Sequence, residues 1–152
     1  MAIKDLKPDT IFFQSSELDI WREATTIYMT SGHGGCHPLG LALAAKRRGF
    51  DCKVLVSQRT TPFLEGGHIP HKNEILQTVH QHFWDQCKTQ NITIRYSPVT
   101  VAYIQESISK GLPVLVLISS NRMNGDKTPH WVVVTGSDDL CYFLLTIRTL
   151  KK

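Results

Sequence analysis

Pro129-His130-Trp131-Val132-Val133-Val134-Thr135-Gly136 is the stretch whose reading decides the fold. From Trp131 to Thr135 every residue is aromatic or β-branched, the composition of a pleated surface with at least one face buried, and a strand is expected over 130–135. Gly136-Ser137-Asp138-Asp139 then reads as a hairpin turn into a second strand over 140–145, and 113–119 reads as a strand that precedes both. One imidazole thus stands at the head of an otherwise apolar central strand. Burial of that ring would need a polar reason, and a rigid strand end can hold it as a base. His130 is therefore a candidate catalytic residue; the plainer reading is an ordinary surface histidine beside a proline.

Upstream, the pattern changes to a helical period. Leu18, Trp21, Ile27 and Tyr28 place a helix over 18–30, interrupted by the glycine-rich run Ser31-Gly32-His33-Gly34-Gly35. Pro38 suits the first turn of a second helix, and Gly49 stands where a left-handed cap ends it. A strand is expected over 52–56 and a long loop over 61–67. A third helix over 72–90 presents Ile75, Leu76, Val79, Phe83 and Cys87 on one face. A short strand over 92–96 follows, and then a helix capped by Thr100 and stopped by Gly111. Helices dominate the first two-thirds and an antiparallel sheet the last third, the segregation of an α+β fold.

The chain has 152 residues with 41% hydrophobic and 20% charged side chains, enough for one domain over 1–152 with a core of its own. Its net charge of +4 raises the question of an anionic partner, but the dense basic clusters are only Lys46-Arg47-Arg48 and Lys151-Lys152. The first lies in the last turn of the second helix, where cations suit the helix dipole, and it reads as a solvated helix end. Basic residues and aromatics do not interleave as a nucleic-acid surface requires, and the apolar runs are too short to span a bilayer, so neither partner is expected. Cys36, Cys52, Cys87 and Cys141 show no CxxC pairing and the N-terminus opens no signal-peptide core, which points to the cytoplasm and reduced thiols.

His33-Gly34-Gly35-Cys36-His37-Pro38 is the densest group of reactive side chains. A thiol just before a helix N-terminus feels a dipole that lowers its pKa, which makes Cys36 a candidate nucleophile with His130 as base. The plainer reading is a buried small hydrophobe at a tight helix entry. A metal site using His33, Cys36 and His37 is the rival, weakened because adjacent Cys36 and His37 point differently. His80 and His82, two apart on a helix, fall on opposite sides and read as solvent-facing or partly packed.

The His130-Trp131-Val132-Val133-Val134 strand resembles that of the bacteriocin-processing, double-glycine leader peptidase family of papain-like cysteine peptidases. The run Leu18-Asp19-Ile20-Trp21-Arg22-Glu23-Ala24-Thr25-Thr26-Ile27-Tyr28, the Gly32 to Cys36 loop, Gly40-Leu41-Ala42-Leu43-Ala44-Ala45 and Val116-Leu117-Ile118-Ser119-Ser120 resemble a subgroup often fused to a GNAT-type acetyltransferase. The resemblance covers nearly the whole chain. It implies a papain-like fold with N-terminal helices on a small antiparallel sheet, a peptide or protein substrate, no cofactor, and an acetyltransferase domain or partner. It also implies that the family nucleophile, in a Cys-Gly-Pro segment, precedes the stretch resembling Met1 to Pro8. The orienting aspartate should fall near Thr146, where the family pattern is lost. The function expected is a peptidase-like domain inactive as this chain. The alternatives are a peptide-binding or accessory module that does not cut, and a metal-binding protein built on the His33/Cys36/His37 loop.

Overall fold

A tight ladder between two short segments, not a long first helix, organises the N-terminal half. The computed structural model describes residues 13–28, 34–64, 70–119, 129–137 and 143–146. The described residues up to Pro98 form one compact unit and those from Val99 onward a second. In the first unit, helix α1 spans Gln14–Ala24. It stops short of the expected 18–30 because Thr25, Thr26 and Ile27, all β-branched, have better partners outside a helix. Thr25 bridges Cys36 in antiparallel fashion, the Thr26 N–H donates to the Gly35 carbonyl at 2.8 Å, and the His37 N–H to the Ala24 carbonyl at 2.7 Å. The Thr26 hydroxyl donates to the Tyr28 carbonyl at 2.7 Å, and the Trp21 indole N–H to the Gly34 carbonyl at 3.0 Å.

Helix α2 spans Pro38–Arg47 and follows its sequence closely. Pro38 occupies the first turn, the His37 side chain caps it, and Gly49, at a φ of +84°, donates to the Lys46 carbonyl at 2.9 Å. Gly40 lets α2 approach α1: a Cβ there would lie 2.7 Å from the Ala24 Cα. The basic cluster is more than a solvated end. Arg48 holds Glu23 of α1 with both guanidinium branches, at 2.9 and 2.8 Å, and this contact keeps the Glu23 carboxyl below its ordinary range.

Strand β1, Lys53–Val56, helix α3, Pro70–Thr89, and strand β2, Thr93–Tyr96, complete this unit. β1 and β2 pair in parallel, from Lys53 opposite Thr93 to Val56 opposite Tyr96. The antiparallel sheet of the last third is thus accompanied by a second, parallel one. Parallel neighbours need a long crossover, and α3 supplies it. Leu39, Leu43, Val54, Phe83, Cys87 and Ile92 form the core where α2 and α3 meet these strands.

In the second unit, Thr100 accepts from the Tyr103 N–H at 3.2 Å and caps helix α4, Val101–Ser109, after which Gly111 takes a φ of +71°. Strands β3, Val114–Ser119, β4, Pro129–Ser137, and β5, Phe143–Thr146, form an antiparallel sheet in that order. α4 packs on β3 and β4, with Ile104, Val132 and Val134 buried. The expected turn at Gly136 lies instead inside β4, which runs on to Ser137 past an irregularity between Val134 and Gly136. Asp138 and Asp139 lie outside the described residues, as do the ends of the expected 61–67 loop and 140–145 strand. Among the described residues no helix is long and apolar enough to cross a membrane.

Candidate functional site

His130 is the second residue of β4, the central strand, and its backbone lies opposite Ile118 of β3. The two-residue period puts it on the face that carries buried Val132 and Val134, yet at this end the ring is exposed. The imidazole therefore needs no buried partner and is presented to solvent from the end of β4 that pairs with β3. Thr146, near which the resemblance places an aspartate, pairs with Val133 on the neighbouring strand.

Cys36 belongs to the first unit. It lies one residue before the cap of α2, where its backbone bridges Thr25. The sequence led to a lowered thiol pKa there; burial instead pushes the Cys36 thiol up. The dipole acts within the first turn, whereas Cys36 stands outside it and is half-buried, so loss of water around the thiolate outweighs the dipole. Burial likewise raises Cys52, and raises Cys87 to about 11. Cys141 and His33 lie outside the described residues.

His37 is only 2% exposed, and its ring is fixed by two contacts. Nδ1 accepts the Leu39 N–H at 3.0 Å, so Nδ1 carries no proton, and in the neutral ring the proton sits on Nε2. That Nε2 lies 3.1 Å from Nδ1 of His80 on α3, to which it donates. Burial, with the His80 charge second, drops the His37 pKa to about 3; burial lowers His80 as well. A protonated Nε2 offers no lone pair to a cation, so His37 is not a ligand in this arrangement. The described residues contain no group of three His, Cys, Asp or Glu side chains able to hold a metal ion. His82 is exposed and bonds Gln86 at 2.8 Å, as its place on the opposite face suggested.

The His37–His80 pair is what the sequence did not disclose. A signal was present: position 80 lies four residues after Leu76 and three before Phe83, on the core face of α3, so a histidine there needed a buried partner. Next to the ladder lies an open cleft of about 310 Å³, whose walls include Thr25, Ile27, Thr78, Val79 and Phe83. Ile27 holds a φ of +69°, costly for a β-branched residue, and its side chain is half exposed at this cleft.

A profile of the family described as Peptidase_C39 like family matches residues 1–146. No curated protein and no solved structure shows significant similarity to the chain.

Proposed function

The chain belongs to the Peptidase_C39 like family, and on that premise we propose that it engages peptides without cutting them through Cys36. The observation that carries this reading is the Cys36 thiol itself, raised by burial and anchored by its backbone bridge to Thr25. A nucleophilic cysteine needs thiolate near neutral pH, and these surroundings oppose it. The adjacent imidazole cannot act as base either, because the lone pair of His37 is held by the helix cap and its proton by His80. Cys36 and His37 are fold-forming residues.

His130 is the position we assign to the family base, supported by its exposed place at the head of the central strand. For peptide contact we assign the cleft beside Ile27, whose apolar walls Ile27, Val79 and Phe83 suit one aliphatic or aromatic side chain. Cytoplasmic location and a linked acetyltransferase belong to the same reading. Titrating the protein with fluorescent peptides of the double-glycine leader type tests it. Saturable binding, weakened at least about tenfold by Thr78→Trp, which fills the cleft from its exposed rim, is expected. Absence of binding, or binding indifferent to Thr78→Trp, counts against the assignment.

A further inference from the structure

His37 and His80 form a hydrogen-bond chain that ends blindly at the backbone. The Leu39 N–H donates to His37 Nδ1, and His37 Nε2–H donates to His80 Nδ1. Both rings must be neutral for these contacts to hold. A second proton on His37 would sit on Nδ1 and face the Leu39 N–H; one on His80 would sit on Nδ1 and face the Nε2–H of His37. Either proton replaces a hydrogen bond with two opposed donors inside the core.

His37 is also where the ladder meets this chain. Its own N–H holds the Ala24 carbonyl, Cys36 beside it bridges Thr25, and Gly35 accepts from Thr26. Loss of the ring contacts therefore loosens the strip that keeps Ile27 in its left-handed conformation, and opening relieves that strain. We propose that the His37–His80 pair is an acid-sensitive latch, whose protonation frees residues 24–28 from 34–37 and so removes the Thr25 and Ile27 wall of the cleft. The latch is independent of whether the cleft takes a peptide.

The surroundings leave the pair to titrate on its own. From α1, Glu23 is committed to Arg47 and Arg48; from α2, Lys46 is paired with Asp51. On α3, His82 bonds Gln86, Asp85 bonds Gln81, and Lys88 lies over the Trp84 ring. From the β1–β2 side come Tyr96, against Trp84, and Arg59, over Tyr96. Of these groups, only His80 has a charge that acts on His37.

Amide hydrogen exchange by NMR, corrected for the intrinsic pH dependence, tests the latch. The Thr26, His37 and Leu39 amides should exchange through an opening that leaves Leu43 and Phe83 protected. From about pH 7.5 to pH 5 that opening should become roughly thirtyfold more populated, as the freed His37 takes up a proton. His37→Asn keeps a cap that does not titrate and should remove the shift; His80→Gln keeps an acceptor for His37 and should retain it. Exchange of the three amides only together with Leu43 and Phe83, or a shift that survives His37→Asn, would overturn the latch. Should His37→Asn not fold, the nitrogen-15 spectrum of the native protein decides: a His37 proton on Nδ1 rather than Nε2 refutes it.

Discussion

Replacing Gly40 by alanine tests the close approach of α1 and α2 on which the ladder depends. In an exposed helix the change would stabilise by about 1 kcal/mol, since alanine is the better helix former. At position 40 the added Cβ meets the Ala24 Cα at 2.7 Å, the Ala24 carbonyl oxygen at 2.9 Å and the Phe83 ring at 3.0 Å. Two of these neighbours are backbone atoms, so α1 as a whole must retreat. Such overpacking costs typically about 1 to 3 kcal/mol. Retreat also stretches the 2.7 Å bond from the His37 N–H to the Ala24 carbonyl, and losing it removes about a further 1 kcal/mol. Set against the propensity gain, the net expectation is a loss of about 1 to 3 kcal/mol, with the sign decided by packing. Urea unfolding followed by circular dichroism measures it as a lower midpoint at unchanged slope. A variant as stable as the parent, or more stable, would show that the helices do not meet at Ala24 and Gly40.

Gly34→Ala should destabilise in the same assay by about 1 to 3 kcal/mol, because its Cβ would lie 2.6 Å from the Ile27 nitrogen; an unchanged midpoint would refute the ladder. Acid should weaken the fold through His37. Its folded pKa, about 3, lies below the ordinary 6.5, so the unfolded chain binds the extra proton and stability falls as pH drops below 6.5. At about pH 5 the loss is about 2 kcal/mol, measurable by urea unfolding of the parent against His37→Asn, and equal slopes in the two proteins would contradict it. Cys36 should react with iodoacetamide more slowly than free cysteine at neutral pH, and its rate should still be rising at pH 9, as peptide mass mapping can follow; a plateau near pH 7 would identify an activated thiolate.

Elements set by neighbouring residues could be read directly. Pro38 and Gly49 bracket α2, Thr100 and Gly111 bracket α4, and the valines of β4 declare a central strand. What failed was set at a distance. The end of α1 depends on Gly34 and Gly35, which take the hydrogen bonds that Thr26 and the Trp21 indole would otherwise lack. The parallel pairing of β1 with β2 depends on α3 bridging them, and nothing local to either strand discloses a partner. The site divides in the same way. The strand that carries His130 is legible in its valines, but an exposed ring there suits an ordinary surface histidine as well as a base; the chemistry suggested for Cys36 rests on an approaching helix dipole, and nothing local measures how much water burial removes. In sequence His37 stands only beside Cys36 and Pro38, while its partner, His80, lies 43 positions away.

Peptide cleavage by the full 152-residue chain bears most directly on the claim that Cys36 is no nucleophile. Purified protein, its His130→Ala and Cys36→Ala variants, and thiol-alkylated protein would be incubated with a peptide library rich in double-glycine leader sequences, with products identified by mass spectrometry. The expected result is that the parent yields no product beyond the Cys36→Ala and alkylated samples. Turnover by the parent that is abolished alike by Cys36→Ala, by His130→Ala and by alkylation would make Cys36 the working nucleophile and contradict the account.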